Sequence, residues 1–100
     1  MSIFNSKNNR CKLIGFLVSD ITQSKDYENV IEFKLRVNRP LVSNKPQYYD
    51  EFIIYVSDRQ NVSICKECLK RGRGAEVKGE MRSWFDGTIR LCASEIKPIY

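Results

Sequence analysis

Asp58-Arg-Gln-Asn-Val-Ser-Ile-Cys-Lys-Glu-Cys-Leu-Lys-Arg-Gly-Arg-Gly-Ala-Glu-Val-Lys-Gly-Glu-Met-Arg-Ser-Trp-Phe-Asp-Gly-Thr-Ile-Arg-Leu-Cys-Ala93 holds, in order, a helix, a glycine stop, a strand with a glycine inside it, a tight turn and a second strand. Asp58 or Asn61 can cap the helix. Val62, Cys65, Cys68 and Leu69 recur at helical spacing with Ile64 beside them, which puts Lys66, Glu67, Lys70 and Arg71 on the wet side. Gly72 and Gly74 close the helix. Ala75 to Phe85 then reads as a fourth strand and Ile89 to Ile96 as a fifth, joined through Asp86-Gly87. A two-residue loop would set Trp84 opposite Ile89 and mix charged with apolar residues on one face. A three-residue loop sets Phe85 opposite Ile89, Ser83 opposite Leu91 and Met81 opposite Ala93. One residue of slip exchanges the faces of a strand, so the pattern selects the second register. Arg82, Trp84 and Arg90 then turn outward together.

Working upstream, Tyr48–Val56 is a third strand whose later part is apolar on both faces. That predicts a second layer over it, most simply a partner subunit. Residues 39–47 are polar, hold Pro40 and Pro46, and form a loop. Val30–Asn38 alternates cleanly: Ile31, Phe33, Leu35 and Val37 on one face, Glu32, Lys34, Arg36 and Asn38 on the other. Residues 20–29 are turn-like, with Ile21 and Tyr27 available to cap the core. Arg10–Leu17 is the first strand, and Gly15 within it marks a bulge or a barrel corner. Residues 1–8 read as a loose arm. Five short strands with one helix between the third and fourth predict an all-β, partly open barrel.

One hundred residues make one domain, residues 1–100. Residues 1–47 hold 8 Lys/Arg against 4 Asp/Glu and the remainder 9 against 8, for a net charge of +5. This balance permits an anionic partner without requiring one. No apolar run approaches the roughly 20 residues that span a bilayer, and the N-terminus lacks a signal-peptide h-region. A cytosolic, reducing setting with free thiols is expected.

The chain has no histidine, so the commonest general base and metal ligand are missing. Cys65-Lys-Glu-Cys68 has the spacing of a zinc half-site or a redox pair. A second pair is lacking, however, and the motif lies within the helix rather than before it. Two small apolar residues on the buried helix face is the favoured reading, with zinc and redox chemistry as alternatives. Gly72 to Gly79 is not a phosphate loop, because Gly-Lys-Ser/Thr is missing and a strand follows. Asp50 and Glu51 point to opposite strand faces, and Ser57, Ser63 and Ser83 have no base. No enzyme, cofactor or metal is expected.

Basic residues interleaved with aromatics remain. Cations track phosphates, and flat side chains stack on bases at roughly 1–3 kcal/mol per base. Lys34 and Arg36 sit on the second strand, Tyr48, Tyr49, Phe52 and Tyr55 on the third, and Arg82, Trp84 and Arg90 at the hairpin. Phe52 and Tyr55 can equally be core residues.

These residues resemble the bacterial single-stranded-DNA-binding protein family, including its short primosomal branch, PriB. The resemblance runs over about residues 9–99. Its carriers are the opening strand with Gly15, Ile31–Val37, and Cys68-Leu69-Lys70-Arg71-Gly72 followed by Val77 through Arg82. Tyr55-Val56-Ser57-Asp58 and Ala93 through Ile99 look closer to PriB. The resemblance implies an oligonucleotide-binding (OB) barrel that dimerises or tetramerises and holds single-stranded DNA without marked sequence preference. Its implied setting is replication or replication restart in the bacterial cytoplasm, at the nucleoid. Family contact aromatics would fall on Tyr49 or Phe52, and hairpin contacts on Arg82, Trp84 and Arg90. With Lys12, Lys34, Arg36 and Arg39, these form the expected nucleic-acid-binding set. Asp58 stands where family members carry a stacking aromatic, and the sequence stops at Tyr100 without a glycine-rich linker or acidic tail. The missing tail points toward a PriB-like or accessory protein, while Asp58 leans toward the alternative below. The alternative is a replisome protein-interaction module that binds nucleic acid weakly.

Overall fold

The computed structural model describes residues 8–99. Apart from Asn8, the expected N-terminal arm lies outside the described residues. The elements are β1 (Cys11–Leu17), β2 (Thr22–Gln23), β3 (Ile31–Asn38), β4 (Tyr49–Val56), α1 (Arg59–Cys68), β5 (Gly74–Ser83) and β6 (Ile89–Ile99). The sheet order is β1-β5-β6-β4-β3, closed by pairing of β1 with β3, so five strands form a barrel. Among the described strands only β4 and β6 run parallel. β2 is a two-residue addition to β3 within the segment expected to be a turn.

Alternation explains the interior. Ile31, Phe33 and Leu35 of β3 face Val56, Ile54 and Phe52 of β4. Leu17, Leu35, Ile54, Val56, Val77 and Leu91 are almost fully buried. Each such side chain stabilises the fold by roughly 1.5–3 kcal/mol. α1 packs Cys65 and Val62 against this core, with Leu69 just beyond its end. Asp58 caps it by accepting from the Asn61 amide at 3.0 Å. The Asn61 side chain in turn donates to the Ser94 carbonyl at 3.0 Å, tying the helix to β6.

Two glycines make closure possible. β1 pairs with β5 as far as Phe16 and passes to β3 at Phe16 and Leu17. A Cβ on Gly15 would lie 2.1 Å from the Arg36 carbonyl oxygen, so only glycine allows the strands to cross there. This is the expected barrel corner. At the other seam Lys78 faces Glu95 but Gly79 faces Ala93, which leaves Ser94 as an extra residue. A Cβ on Gly79 would lie 2.1 Å from the Cys92 carbonyl oxygen. The helix, by contrast, ends at Cys68, before Gly72. Gly72 sits at φ +93° in the following turn and donates to the Leu17 carbonyl, while Gly74 opens β5.

Three expectations are corrected. The hairpin pairs Ser83 with Ile89, Arg82 with Arg90 and Met81 with Leu91, leaving a five-residue loop. The odd loop length keeps the expected faces, but the register moves by two. Asp86 secures the wider loop by accepting from both the amide and the hydroxyl of Thr88. The second correction concerns the layer over the third strand, here β4. Its own chain supplies it: Trp84 packs on Tyr55 with ring centroids 4.7 Å apart, and Tyr27 meets Tyr55 edge-on. The third is Cys68, which is exposed although Cys65 is buried.

Candidate nucleic-acid interface

The strand register gathers the outward side chains of β3, β4, β5 and β6 into one continuous face. Lys34 lies beside Ile53, and Arg36 beside Glu51; Ile53 neighbours Arg90 across the parallel pair, and Arg90 faces Arg82. Lys34, Arg36, Arg82 and Arg90 therefore share a surface although they come from three strands. Phe52 does not join them. It stands opposite Leu35 in the inward row and packs against the core. Of the two third-strand candidates, Tyr49 is the exposed one. Lys12 lies on the outer side of β1, at the margin of this face, and pairs with Glu76 at 3.0 Å.

Most of the gathered cations already have carboxylate partners. Arg36 bonds Glu51 at 2.9 Å, and its guanidinium sits 4.0 Å over the Tyr49 ring. Arg39 grips Asp50 through two bonds of 2.6 and 3.0 Å. That contact raises the Arg39 pKa and holds the Asp50 carboxyl below its ordinary value. Arg82 pairs with Glu80. Lys34 is exposed and has no ion-pair partner among the described residues.

The hairpin is pinned rather than free. Arg90 is only 8% exposed, and its fork reaches Glu32 at 2.9 Å and Asp86 at 3.3 Å. Its guanidinium lies 4.8 Å from the Trp84 ring centre. Trp84 also donates from its indole nitrogen to Asp26 at 3.3 Å. Trp84 and Arg90 thus meet on the outer face as expected but are not free there: the wider loop folds the indole onto Tyr55. Burial raises the Tyr55 phenol pKa, with Ser24 opposing. The Thr88 hydroxyl and amide, with Arg90 after them, hold Asp86 below the usual carboxylate range.

Two residues outside the expected set belong to the face. Phe85 is 80% exposed at the hairpin tip, where the narrower expected loop had placed it opposite Ile89 on the core side. Arg71 lines the same groove as Lys34, Arg36 and Ile53. Its signal was Gly72 next to it: the chain leaves the helix before Arg71 and turns it toward β3. Among the described residues no group of three or more Cys, Asp or Glu side chains could hold a metal ion. Burial pushes the Cys65 thiol up to about 12. Among the described residues no helix is long and apolar enough to cross a membrane. Unpaired cations and exposed rings on one face suit a polyanion with flat bases.

No family model matches the sequence. A curated relative, the single-stranded DNA-binding protein of Caldanaerobacter subterraneus subsp. tengcongensis, is 36% identical over 84 residues. The match covers 80% of this chain and 56% of that protein, so the chain spans about half the length of the curated relative it matches. Among solved structures, the Plasmodium falciparum SSB in complex with ssDNA superposes with a TM-score of 0.75 at 20% identity, over 100% of both chains. The N-terminal domain of the PriB protein from Thermoanaerobacter tencongensis, a dimeric structure, gives 0.69 at 20% identity, covering 94% of this chain and 99% of that one. Both share the OB barrel.

Proposed function

We propose that this chain, whose resemblance to the bacterial single-stranded-DNA-binding proteins is borne out by a sequence relative and by a shared OB barrel, itself binds single-stranded DNA without sequence preference and without catalysis. The observation that carries this reading is the exposed row of Lys34, Arg36 stacked on Tyr49, and Arg71 around one groove, with Phe85 exposed at the hairpin. Cations there meet phosphates, and Tyr49 and Phe85 offer rings to bases. Arg82 and Trp84 frame the face, while Arg90 positions the hairpin. Phe52 acts from the core, and Lys12 and Arg39 lie in ion pairs at the margins.

The single barrel domain works in replication or replication restart, as a dimer or tetramer, in the bacterial cytoplasm at the nucleoid. With β4 covered by Trp84 and Tyr27, the subunit contact falls better on β1, whose outer side exposes Ile14 and Phe16. The pairing of Arg36, Arg39, Arg82 and Arg90 with carboxylates favours a second reading, a primosome or replisome protein-interaction module with weak nucleic-acid binding. Titration with oligo-dT decides between them. Trp84 is the only tryptophan, so its fluorescence reports binding directly. The first reading expects quenching, and affinity that falls with salt, more steeply as the oligomer lengthens. Lys34→Ala should lower the log–log salt slope by about 0.7. No quench and no gel shift at low salt refutes DNA binding and leaves the interaction module.

A further inference from the structure

Resting on that reading, we infer that a second stretch of the same DNA strand lies along helix α1, in a furrow between the helix and β2. Two adjoining clefts make this furrow. The first runs beside Arg59, Val62 and Lys66; the second beside Lys66 and Lys70. They share Gln23, Ile31 and Lys66, so they are continuous. The second also shares Asp20 and Thr22 with the groove of the sheet face that holds Lys34 and Arg71. The furrow therefore leads off the proposed DNA-binding face without a break. β2, absent from the sequence reading, forms its outer wall.

The charge along it differs from that of the sheet. Arg59, Lys66 and Lys70 are exposed, and none has an ion-pair partner among the described residues. On the sheet face Lys34 shares that state, but Arg36, Arg82 and Arg90 are paired. Helical spacing aligns Arg59 with Lys66, at i and i+7 on one side of α1, and Lys70, two residues past the helix end, lines the second cleft with Lys66. Arg59 and Lys66 stand about 10 Å apart along the axis, a gap that their long, flexible side chains can bridge to nearby phosphates of one strand. Asp20 is the one carboxylate lining the two helix clefts among the described residues. A strand crossing the sheet at Lys34 and Arg71 would meet an uncompensated positive track on leaving it.

The test uses oligo-dT of about 5 and about 20 nucleotides, near the two ends of the range one OB fold covers. The protein is the full chain and the triple variant Arg59→Gln, Lys66→Gln, Lys70→Gln, whose three side chains are exposed. Trp84 fluorescence is followed across a salt series. The short oligomer should bind both proteins alike. The long one should lose affinity for the variant, and its salt slope should fall by about 2, three contacts at roughly 0.7 each. An unchanged slope for the long oligomer overturns the inference, as does an equal loss on both lengths. Failure of the unmodified protein to bind either oligomer would instead overturn the DNA-binding reading itself. Circular dichroism of the variant checks that the helix is intact.

Discussion

Arg90→Ala separates a residue that positions the site from one that contacts DNA. Its fork holds Glu32 at 2.9 Å and Asp86 at 3.3 Å, and Arg90 is 8% exposed. A fully exposed ion pair is worth about 0–1 kcal/mol, and breaking a fully buried one costs about 3–5 kcal/mol. The Glu32 side chain is 28% exposed, which places this pair between those limits, at about 2 kcal/mol. Loss of the contact to Trp84 adds about 0.5–1 kcal/mol. Relief of the Arg82–Arg90 opposition across the hairpin offsets a few tenths. The net loss is about 2–3 kcal/mol, which lowers Tm by roughly 10–20 °C and leaves the domain folded at room temperature. Thermal unfolding by circular dichroism measures it. Trp84 emission should shift red as the indole loosens from Tyr55, while the salt slope of oligo-dT binding stays at its original value. Arg90→Lys keeps the charge but loses the fork, so its stability should fall part of the way. An unchanged Tm with a salt slope lower by about 0.7 would refute this reasoning and make Arg90 a phosphate contact.

Other expected outcomes rest on single features. Gly79→Ala places a methyl 2.1 Å from the Cys92 carbonyl and should cost more than about 3 kcal/mol in urea unfolding. Gly72→Ala meets nothing within 4 Å and should cost only the left-handed backbone penalty, about 1–2 kcal/mol. In thiol titration of the native protein near pH 8, Cys68 should react first and Cys65, pushed up to about 12, only on unfolding. Fast reaction of Cys65 would contradict its burial. The Asp50, Glu76 and Asp86 carboxyls lie below their ordinary values of 3.8, 4.5 and 3.8. Their stabilisation is therefore complete above those values and is shed as pH falls through the lower folded ones. Acid unfolding followed at Trp84 should begin below about pH 4.5, and loss of stability already between pH 7 and 5 would point to another group.

Regular alternation made the barrel legible. Ile31, Phe33, Leu35 and Val37 fixed β3 and its faces, and the glycines in β1 and β5 marked the two places where backbones touch. β2 was hidden because two residues carry no periodicity. The hairpin register was read as far as its parity, which the apolar pattern sets. Its length depended on Asp86, Thr88 and the packing of Trp84 on Tyr55, contacts that the pattern of the two strands alone does not encode. The site was legible in composition and less so in state. Lys34 and Arg36 were placed correctly on the outward row, but which cations were already neutralised depended on cross-strand neighbours such as Glu51 and Glu32. Phe52 fell inward for the same reason that Leu35 did: its row faces the core.

The distribution of ion pairs has a consequence for how the surface would grip a strand. A phosphate reaching Arg36 or Arg82 replaces a carboxylate, so it exchanges one anionic partner for another and gains little. On that part of the face, stacking on Tyr49 and Phe85 must supply most of the affinity, and salt dependence should be shallow. Lys34, Arg71 and the α1 cations have no such partner among the described residues, so each phosphate they meet adds attraction in full. Affinity and salt sensitivity should then rise together with oligomer length, as the strand extends from the stacking face onto the helix. A barrel whose sheet cations were all free would show the opposite behaviour, steep salt dependence already on the shortest oligomer that binds.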